Sequence, residues 1–170
     1  MQRKTTIENA FKRKYPEPVV LVTTRAPGGR ANVMAVGWVM IASSEPWMFA
    51  LGIDDGAYTY ELIRKTREFV VAFPSEEMTK ETRYAGTHHG HTQDKFAATG
   101  LKTQPATAVQ APLIADAVAN FECRLSKIVR PGDCPVIFGE IVAAHENRDR
   151  RRRRLFNWGR NYTLAGAQKR

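Results

Sequence analysis

The chain has 170 residues, of which 43% are hydrophobic and 9% aromatic. This is enough to bury one core in a single domain over 1–170, and it excludes a disordered polymer. The formal net charge of +9 comes from residues 1–14 and 148–154, because the other 149 residues balance 15 basic against 15 acidic side chains. That balance argues against a nucleic-acid-binding fold, whose body would itself present a basic face.

Cysteine content and hydropathy predict a cytoplasmic protein without a membrane span. Cys123 and Cys134 are too few for a disulfide framework, and their spacing fits no zinc pattern. The N-terminus lacks the apolar region of a secretory signal. The longest apolar or glycine run, 33–42, is well short of the ~20 residues that a membrane helix needs.

In chain order, the first half alternates strand-like runs with short helical segments. A basic N-terminal helix in 1–14 is capped at Thr5-Thr6, and a Gly-Gly turn at 27–30 joins two strands into a hairpin. Gly37 allows a bend within the second of these strands. The predicted elements are a helix at 7–11, strands at 19–24, 31–43, 47–53 and 69–73, and a helix at 58–65.

The second half adds short helices and then two long strands. Ser75 begins one helix, and Gly100 caps another at 94–98. Strands are predicted at 118–129 and 136–144. A basic C-terminal segment, 148–170, follows with an aromatic cluster at Phe156, Trp158 and Tyr162. These patterns predict a mainly β protein, one small barrel with short peripheral helices.

Several common catalytic and nucleotide-binding motifs are missing from the sequence. Gly28-Gly29 has neither the helix that follows a P-loop nor the spacing of a Rossmann turn. There is no Gly-x-Ser-x-Gly elbow, and neither cysteine has a histidine nearby. A doubly wound nucleotide-binding fold and nucleophilic catalysis are therefore disfavoured.

Two clusters invite functional hypotheses that the sequence does not support well. His88, His89 and His91 could suggest a metal site, but adjacent histidines do not easily face one ion, so a solvated loop and no metal are predicted. The run Arg150–Arg154 could grip phosphates, but such runs are more often a solvated face or an interaction patch.

The stretch from Pro18 to Pro74 is the most informative part of the chain. Its order is strand, Gly-Gly turn, a strand with Asn-Val-Met-Ala-Val-Gly-Trp at 32–38, Ser-Ser-x-Pro at 43–46, and Tyr-Thr-x-x-Leu-Ile at 58–63. Here the sequence resembles the flavin reductase-like family of FMN-binding split β-barrels. Further segments extend the resemblance over roughly 15 to 166, among them Asp-Lys-Phe at 94–96, Ala-Pro-Leu-Ile at 111–114, Glu122-Cys123, Gly132-Asp133 and the terminal Tyr162-x-Leu164-x-Gly166.

The resemblance implies an FMN-binding oxidoreductase that forms a homodimer with the flavin near the subunit interface. Electrons would pass from NAD(P)H through the flavin to an acceptor that the sequence does not identify, and the cofactor would carry the chemistry. No catalytic acid or base is therefore predicted. The alternatives are a non-enzymatic FMN-binding electron carrier and, from another class, a small nucleic-acid-binding barrel that uses the arginine run.

The family's site residues carry over to matching positions of this chain. A flavin needs an apolar slot for its ring and hydroxyls, helix N–H groups and a cation for its phosphate. The resemblance implies that Asn32, Val33, Met34 and Ala35 line the ring, that Ser43 and Ser44 lie near the ribityl chain, that Tyr58 and Thr59 meet the phosphate, that Lys95 adds positive charge, and that Trp38 and Phe96 wall the site.

The chain also departs from the family pattern in ways that bear on the phosphate. Tyr58 stands where a basic residue is common, so the positive charge must come from Lys95 or an arginine. Ala35 and Gly37 replace hydroxyl residues, and Ala85 stands where some relatives carry a cysteine. The arginine run is expected to attract a phosphorylated nicotinamide or an acidic electron partner.

Overall fold

An antiparallel sheet of seven strands forms the body of the protein in the computed structural model, which describes residues 1–159 and 163–166. Its strand order is β3-β2-β6-β9-β10-β5-β4, and two small sheets, β1-β11-β12 and β7-β8, accompany it. The described strands are β1 (Glu17–Pro18), β2 (Val20–Arg25), β3 (Ala31–Val36), β4 (Val39–Ser44), β5 (Trp47–Gly52), β6 (Glu68–Phe73), β7 (Thr103–Gln104), β8 (Leu113–Ile114), β9 (Ala119–Val129), β10 (Val136–Glu146), β11 (Leu155–Asn157) and β12 (Leu164–Gly166).

The sheet curls around one apolar core, as the predicted mainly β class requires. Val36 of β3 and Phe49 of β5 come from opposite ends of the strand order, yet both pack in the same buried cluster. Phe69 of β6 and Ile137 of β10 fill the space between them. A sheet whose two ends share a core is a barrel, and this barrel stays open between its edge strands β3 and β4.

The predicted strand 31–43 is wrong as one element. The chain leaves β3 at Gly37 and Trp38 and starts β4 at the other edge of the sheet. The carbonyl of Trp38 accepts the Gly52 N–H at 2.9 Å, so the chain already bonds to β5 before β4 begins. An apolar run that is continuous in sequence therefore supplies both edges of the opening.

Short helices cover the barrel, close to where the sequence predicts them. α2 closes the inner core with Ile63, whereas α3 and α4 pack on the outer face of β2 and β3 around Leu21 and Val33. α1, by contrast, has no buried residue. The helices are α1 (Ile7–Phe11), α2 (Tyr58–Thr66), α3 (Thr79–Thr87, after a 3-10 turn at Glu76–Met78) and α4 (Lys95–Thr99).

The arginine run Arg150–Arg154 forms a strap whose side chains contact carboxylates or aromatic rings. Arg152 reaches the carboxylates of Glu77 and Asp116 at 3.4 and 3.2 Å, and the guanidinium of Arg154 lies 3.7 Å from the centre of the Phe73 ring. Arg150, Arg151 and Arg153 pair with Glu146, Asp149 and Glu76. Arg152 and Arg154 are therefore held against the barrel, whereas Arg150 and Arg151 pair with nearby carboxylates and remain exposed.

The strap leads into two strands that the sequence reading missed. β11 pairs with β1 and β12, and its Asn157 donates to Glu17 Oε1 at 3.2 Å. Of the predicted aromatic cluster, Phe156 and Trp158 belong to this region, whereas Tyr162 lies outside the described residues. Within the described ranges, no helix is both long and apolar enough to cross a membrane.

Candidate functional site

A cleft of about 630 Å³ runs along the free edge of β3, where the barrel is open. The volume falls in the range of small-molecule and cofactor sites. β3 pairs with β2 on one side, and in the described part of the chain no strand pairs with its other side. The lining comes from β3 and the two residues after it, from β1 and the segment before it, and from the last residues of β5 and β11. These residues are Lys14, Tyr15, Glu17, Met34, Ala35, Val36, Gly37, Trp38, Gly52 and Asn157.

An open strand edge and a large indole give this cleft two kinds of contact. The outer edge of a strand offers backbone N–H and C=O groups to a planar ligand with donors and acceptors on its rim. Trp38 lies against Gly52, where a Cβ would come within 2.9 Å of the indole Cε3. Gly52 therefore lets the indole lie close to β5, with 61% of the tryptophan exposed.

A buried polar pair stands farther along β3, at the start of α2. Asn32 Nδ2 donates to Thr59 Oγ1 at 2.9 Å and to Thr24 Oγ1 at 3.4 Å. Asn32 and Thr59 are both almost fully buried. Thr59 is the second residue of α2, where free N–H groups and the helix dipole favour an anion.

A glycine and an arginine that the sequence reading did not select complete this polar end. A Cβ on Gly90 would lie 2.2 Å from Asn32 Oδ1 and 3.0 Å from Tyr58 Cδ1, so only glycine fits there. Arg30 donates to the Gly90 carbonyl at 2.5 Å. No local pattern marks Arg30, which precedes β3 and reaches Gly90 across 60 residues of sequence.

The histidine loop forms the outer wall of the same end. The His91 ring lies 4.7 Å from the Tyr58 ring, and its Nε2 is 3.3 Å from Glu61 Oε2. His88 turns away and stacks on Tyr84 at 3.7 Å. Among the described residues, no three His, Cys, Asp or Glu side chains are grouped as metal ligands.

Lys95 does not extend toward the cleft. Its ammonium donates to the carbonyls of Ala85 and His88 at 2.9 and 3.0 Å, at the end of α3. The residue is 4% exposed, and burial lowers the pKa of its amine to about 8. The ammonium thus satisfies carbonyl groups that the helix leaves unpaired, and the positive charge that the resemblance assigns to Lys95 at the phosphate stays a prediction.

Four other predicted site residues also lie apart from the cleft. Val33 is fully buried and, with Phe96, packs in the cluster between β2, β3 and the outer helices. Ser43 and Ser44 end β4, five or more residues beyond Trp38, and Ser43 Oγ accepts the Glu45 N–H at 3.2 Å. Met34, Ala35 and Trp38 line the cleft, and Asn32, Tyr58 and Thr59 form its neighbouring polar end, so the structure brings together six of the eleven predicted residues.

The chain belongs to the flavin reductase-like family, because residues 12–166 match the family model of the flavin reductase like domain. An uncharacterized protein of Pyrococcus abyssi is 35% identical over 133 residues, which cover 78% of this chain and 76% of that protein. The NADH:riboflavin 5'-phosphate oxidoreductase of Streptomyces pristinaespiralis is 27% identical over 125 residues, 74% of this chain and 68% of that protein. The solved flavoredoxin of Methanosarcina acetivorans is 27% identical, with a TM-score of 0.86, and covers 99% of this chain and 94% of that one.

Proposed function

We propose that the protein is an NAD(P)H-dependent flavin oxidoreductase that holds FMN in the β3 cleft. The observation that carries this proposal is the junction of two features, a cleft along an open strand edge with apolar surface from Met34 and Trp38, and a buried amide–hydroxyl pair at a helix start. A flavin mononucleotide needs both, since its ring is planar and apolar and its phosphate is an anion. The similarity to an NADH:riboflavin 5'-phosphate oxidoreductase supports the same assignment.

The residues of the cleft suit the ring of a flavin. Met34 and Trp38 provide apolar surface, and small Ala35 and Gly37 allow a ring to approach the backbone of β3 closely. The open strand edge supplies donors and acceptors for the polar rim of the ring. When bound, a flavin would supply the capacity to accept a hydride and return electrons. The chain's part is to bind, orient and shield it.

The polar end suits the phosphate, with Arg30 supplying the positive charge that the family resemblance assigned to Lys95. Thr59 presents its hydroxyl and the helix N–H groups, and Asn32 fixes the orientation of that hydroxyl. Arg30 is held beside Gly90, and Gly90 touches Asn32. A guanidinium keeps its charge at every physiological pH and binds phosphate oxygens in pairs.

We further propose a homodimer that buries the apolar face next to the cleft. Four large apolar side chains near the β4 edge are between 54% and 62% exposed: Trp38 before β4, Met40 and Ile41 in β4, and Trp47 at the start of β5. Four large apolar side chains grouped on a strand edge are unusual on a monomer and are typical of an interface. A second copy would cover this face and shield the cleft from water.

An FMN titration of the purified protein tests the proposal. Saturable FMN binding, with a flavin absorption spectrum, is expected, and Thr59→Val should weaken FMN binding about tenfold while leaving riboflavin binding unchanged. Comparison with FAD distinguishes the two flavins. Absence of flavin binding would refute the proposal.

Stopped-flow mixing with NADH and with NADPH then separates an enzyme from a carrier. Rapid bleaching of the bound flavin is expected with at least one donor. Tight FMN binding without bleaching by either donor would instead identify the non-enzymatic electron carrier.

A further inference from the structure

A second polar cleft surrounds His145, near the end of β10. Its volume is about 550 Å³, and it lies between the ends of β8, β9 and β10. From Ala35 in the first cleft, the strand register runs through β2, β6 and β9 to His145. Four inter-strand steps correspond to about 19 Å along the sheet. The two clefts share no lining residue.

A fully buried carboxylate, that of Glu122 in β9, lies behind His145. Thr107 donates its N–H and its hydroxyl to Oε1 at 2.8 and 2.7 Å, and the N–H groups of Ala108 and Val109 donate to Oε2 at 2.5 and 3.0 Å. Burial by itself would raise the pKa of this carboxyl, but these hydrogen bonds and that of His145 outweigh burial and lower it to about 2. Glu122 is therefore an anion with acceptor atoms only.

This anion fixes the proton on one nitrogen of the His145 ring. Nε2 lies 2.6 Å from Glu122 Oε1. Because an ionised carboxylate cannot donate, Nε2 carries the proton that joins them. Nδ1 has no hydrogen-bond partner within residues 1–159 and 163–166, and the side chain is 30% exposed. The ring thus has one nitrogen anchored in the core and one available at the cleft.

The rest of the cleft combines fixed walls with one unpaired cation. Asn120 bonds both the N–H and the carbonyl of Ile114, and Asn147 donates to two backbone carbonyls, so these amides hold the walls in place. Arg148 also lines the cleft, is exposed, and has no ion-pair or hydrogen-bond partner in the described part of the chain. It differs in this respect from Arg150–Arg153, each of which has a carboxylate partner.

We propose that this cleft binds a small oxyanion, a carboxylate or a phosphate, through His145 Nδ1 and the Arg148 guanidinium. When the ring carries a proton on both nitrogens, Nε2 donates to Glu122 and Nδ1 donates to the ligand, while a guanidinium matches a pair of oxygens. Glu122 does not repel such a ligand strongly, because five donors surround its oxygens and the imidazole ring lies between the carboxylate and the cleft.

The experiment follows the histidine ring resonances of the full chain by NMR. Sodium acetate and inorganic phosphate are titrated separately, with sodium chloride holding the ionic strength constant, and His145→Gln assigns the signal. A saturable shift of the His145 resonance is expected. Arg148→Gln should weaken binding about tenfold, the loss of one charge-assisted contact. Arg151→Gln, which removes the same charge outside the cleft, is the matched control and should leave affinity unchanged.

The two ligands distinguish the chemistry of the site. Saturation by acetate alone identifies a carboxylate ligand, saturation by phosphate alone identifies a phosphate ligand, and either result supports the site. Shifts that stay linear with both anions would overturn the proposal. So would equal weakening by Arg148→Gln and Arg151→Gln, since that result means diffuse charge attraction. The dispersed amide spectrum of each variant confirms that it remains folded.

Discussion

The substitution Glu122→Gln tests how strongly a buried carboxylate stabilises this barrel. In the native protein, Glu122 accepts five hydrogen bonds and ties the 107–109 segment and His145 to β9. Glutamine keeps the volume, but its amide NH2 faces N–H groups that also donate. Buried donors are then left without acceptors, which is costly.

The lowered pKa of Glu122 gives the magnitude and the pH dependence. A shift from the ordinary 4.5 to about 2 corresponds to about 3 kcal/mol of folding free energy. Because the folded-state pKa is the lower one, this contribution is complete above pH 4.5, declines as the pH falls toward 2, and is lost below it. The variant should therefore differ most from the native protein at neutral pH.

Urea unfolding followed by circular dichroism, at about pH 7 and about pH 2.5, measures this difference. We expect Glu122→Gln to be less stable by about 3 kcal/mol at neutral pH, with Tm lower by roughly 6–12 °C, and the gap to close in acid. Glu146→Gln makes the same change at an exposed pair with Arg150 and should cost less than about 1 kcal/mol. Equal stability at neutral pH, or a gap that does not depend on pH, would refute the reasoning.

Four further changes have expected outcomes. Gly90→Ala places a Cβ 2.2 Å from Asn32 Oδ1, so it should displace that amide and weaken FMN binding at least tenfold in a fluorescence titration; unchanged affinity would contradict the phosphate site. Lys95→Met should leave FMN affinity unchanged, because the ammonium already bonds two carbonyls, and a large loss would restore Lys95 to the site. Arg152→Gln, which breaks two ion pairs, should lower the free energy of unfolding by about 1 kcal/mol, and an unchanged Tm would show the strap to be dispensable. Trp47→Ser should shift the mass seen by light scattering toward the monomer, whereas an unchanged dimer would place the interface elsewhere.

Local sequence patterns predicted most of the barrel strands and the helices, and the reasons are physical. The β-branched run at 19–24 and the Gly-Gly turn act within a few residues, and β2, with the turn after it, follows them closely. The division of 31–43 into β3 and β4 could not be predicted from local patterns. An apolar run looks the same whether it forms one strand or two edges, and the partners of β3 and β4 are distant in sequence.

The site was predictable to a similar extent. Asn32 and Thr59 were selected, and their contact is a direct hydrogen bond. Lys95 and Arg30 show what was missed, because side-chain direction decides which cation is free to meet a ligand. Lys95 follows a helix cap that turns it toward the end of α3, and Arg30 is brought to Gly90 across 60 residues of sequence. Neither side-chain direction can be recognised from the neighbouring sequence.

The pairing of the arginine strap changes where the electric field of the molecule originates. The carboxylates beside Arg150–Arg153 cancel their charges at close range, so beyond about one Debye length of 8–10 Å the strap is nearly neutral. Residues 1–14, all exposed, carry five basic side chains against one acidic side chain, and this segment ends at Lys14, which pairs with Glu17 on the rim of the first cleft. An anion that approaches from solution is therefore attracted toward the opening of the barrel, and the paired arginines 150–153 contribute less to its path.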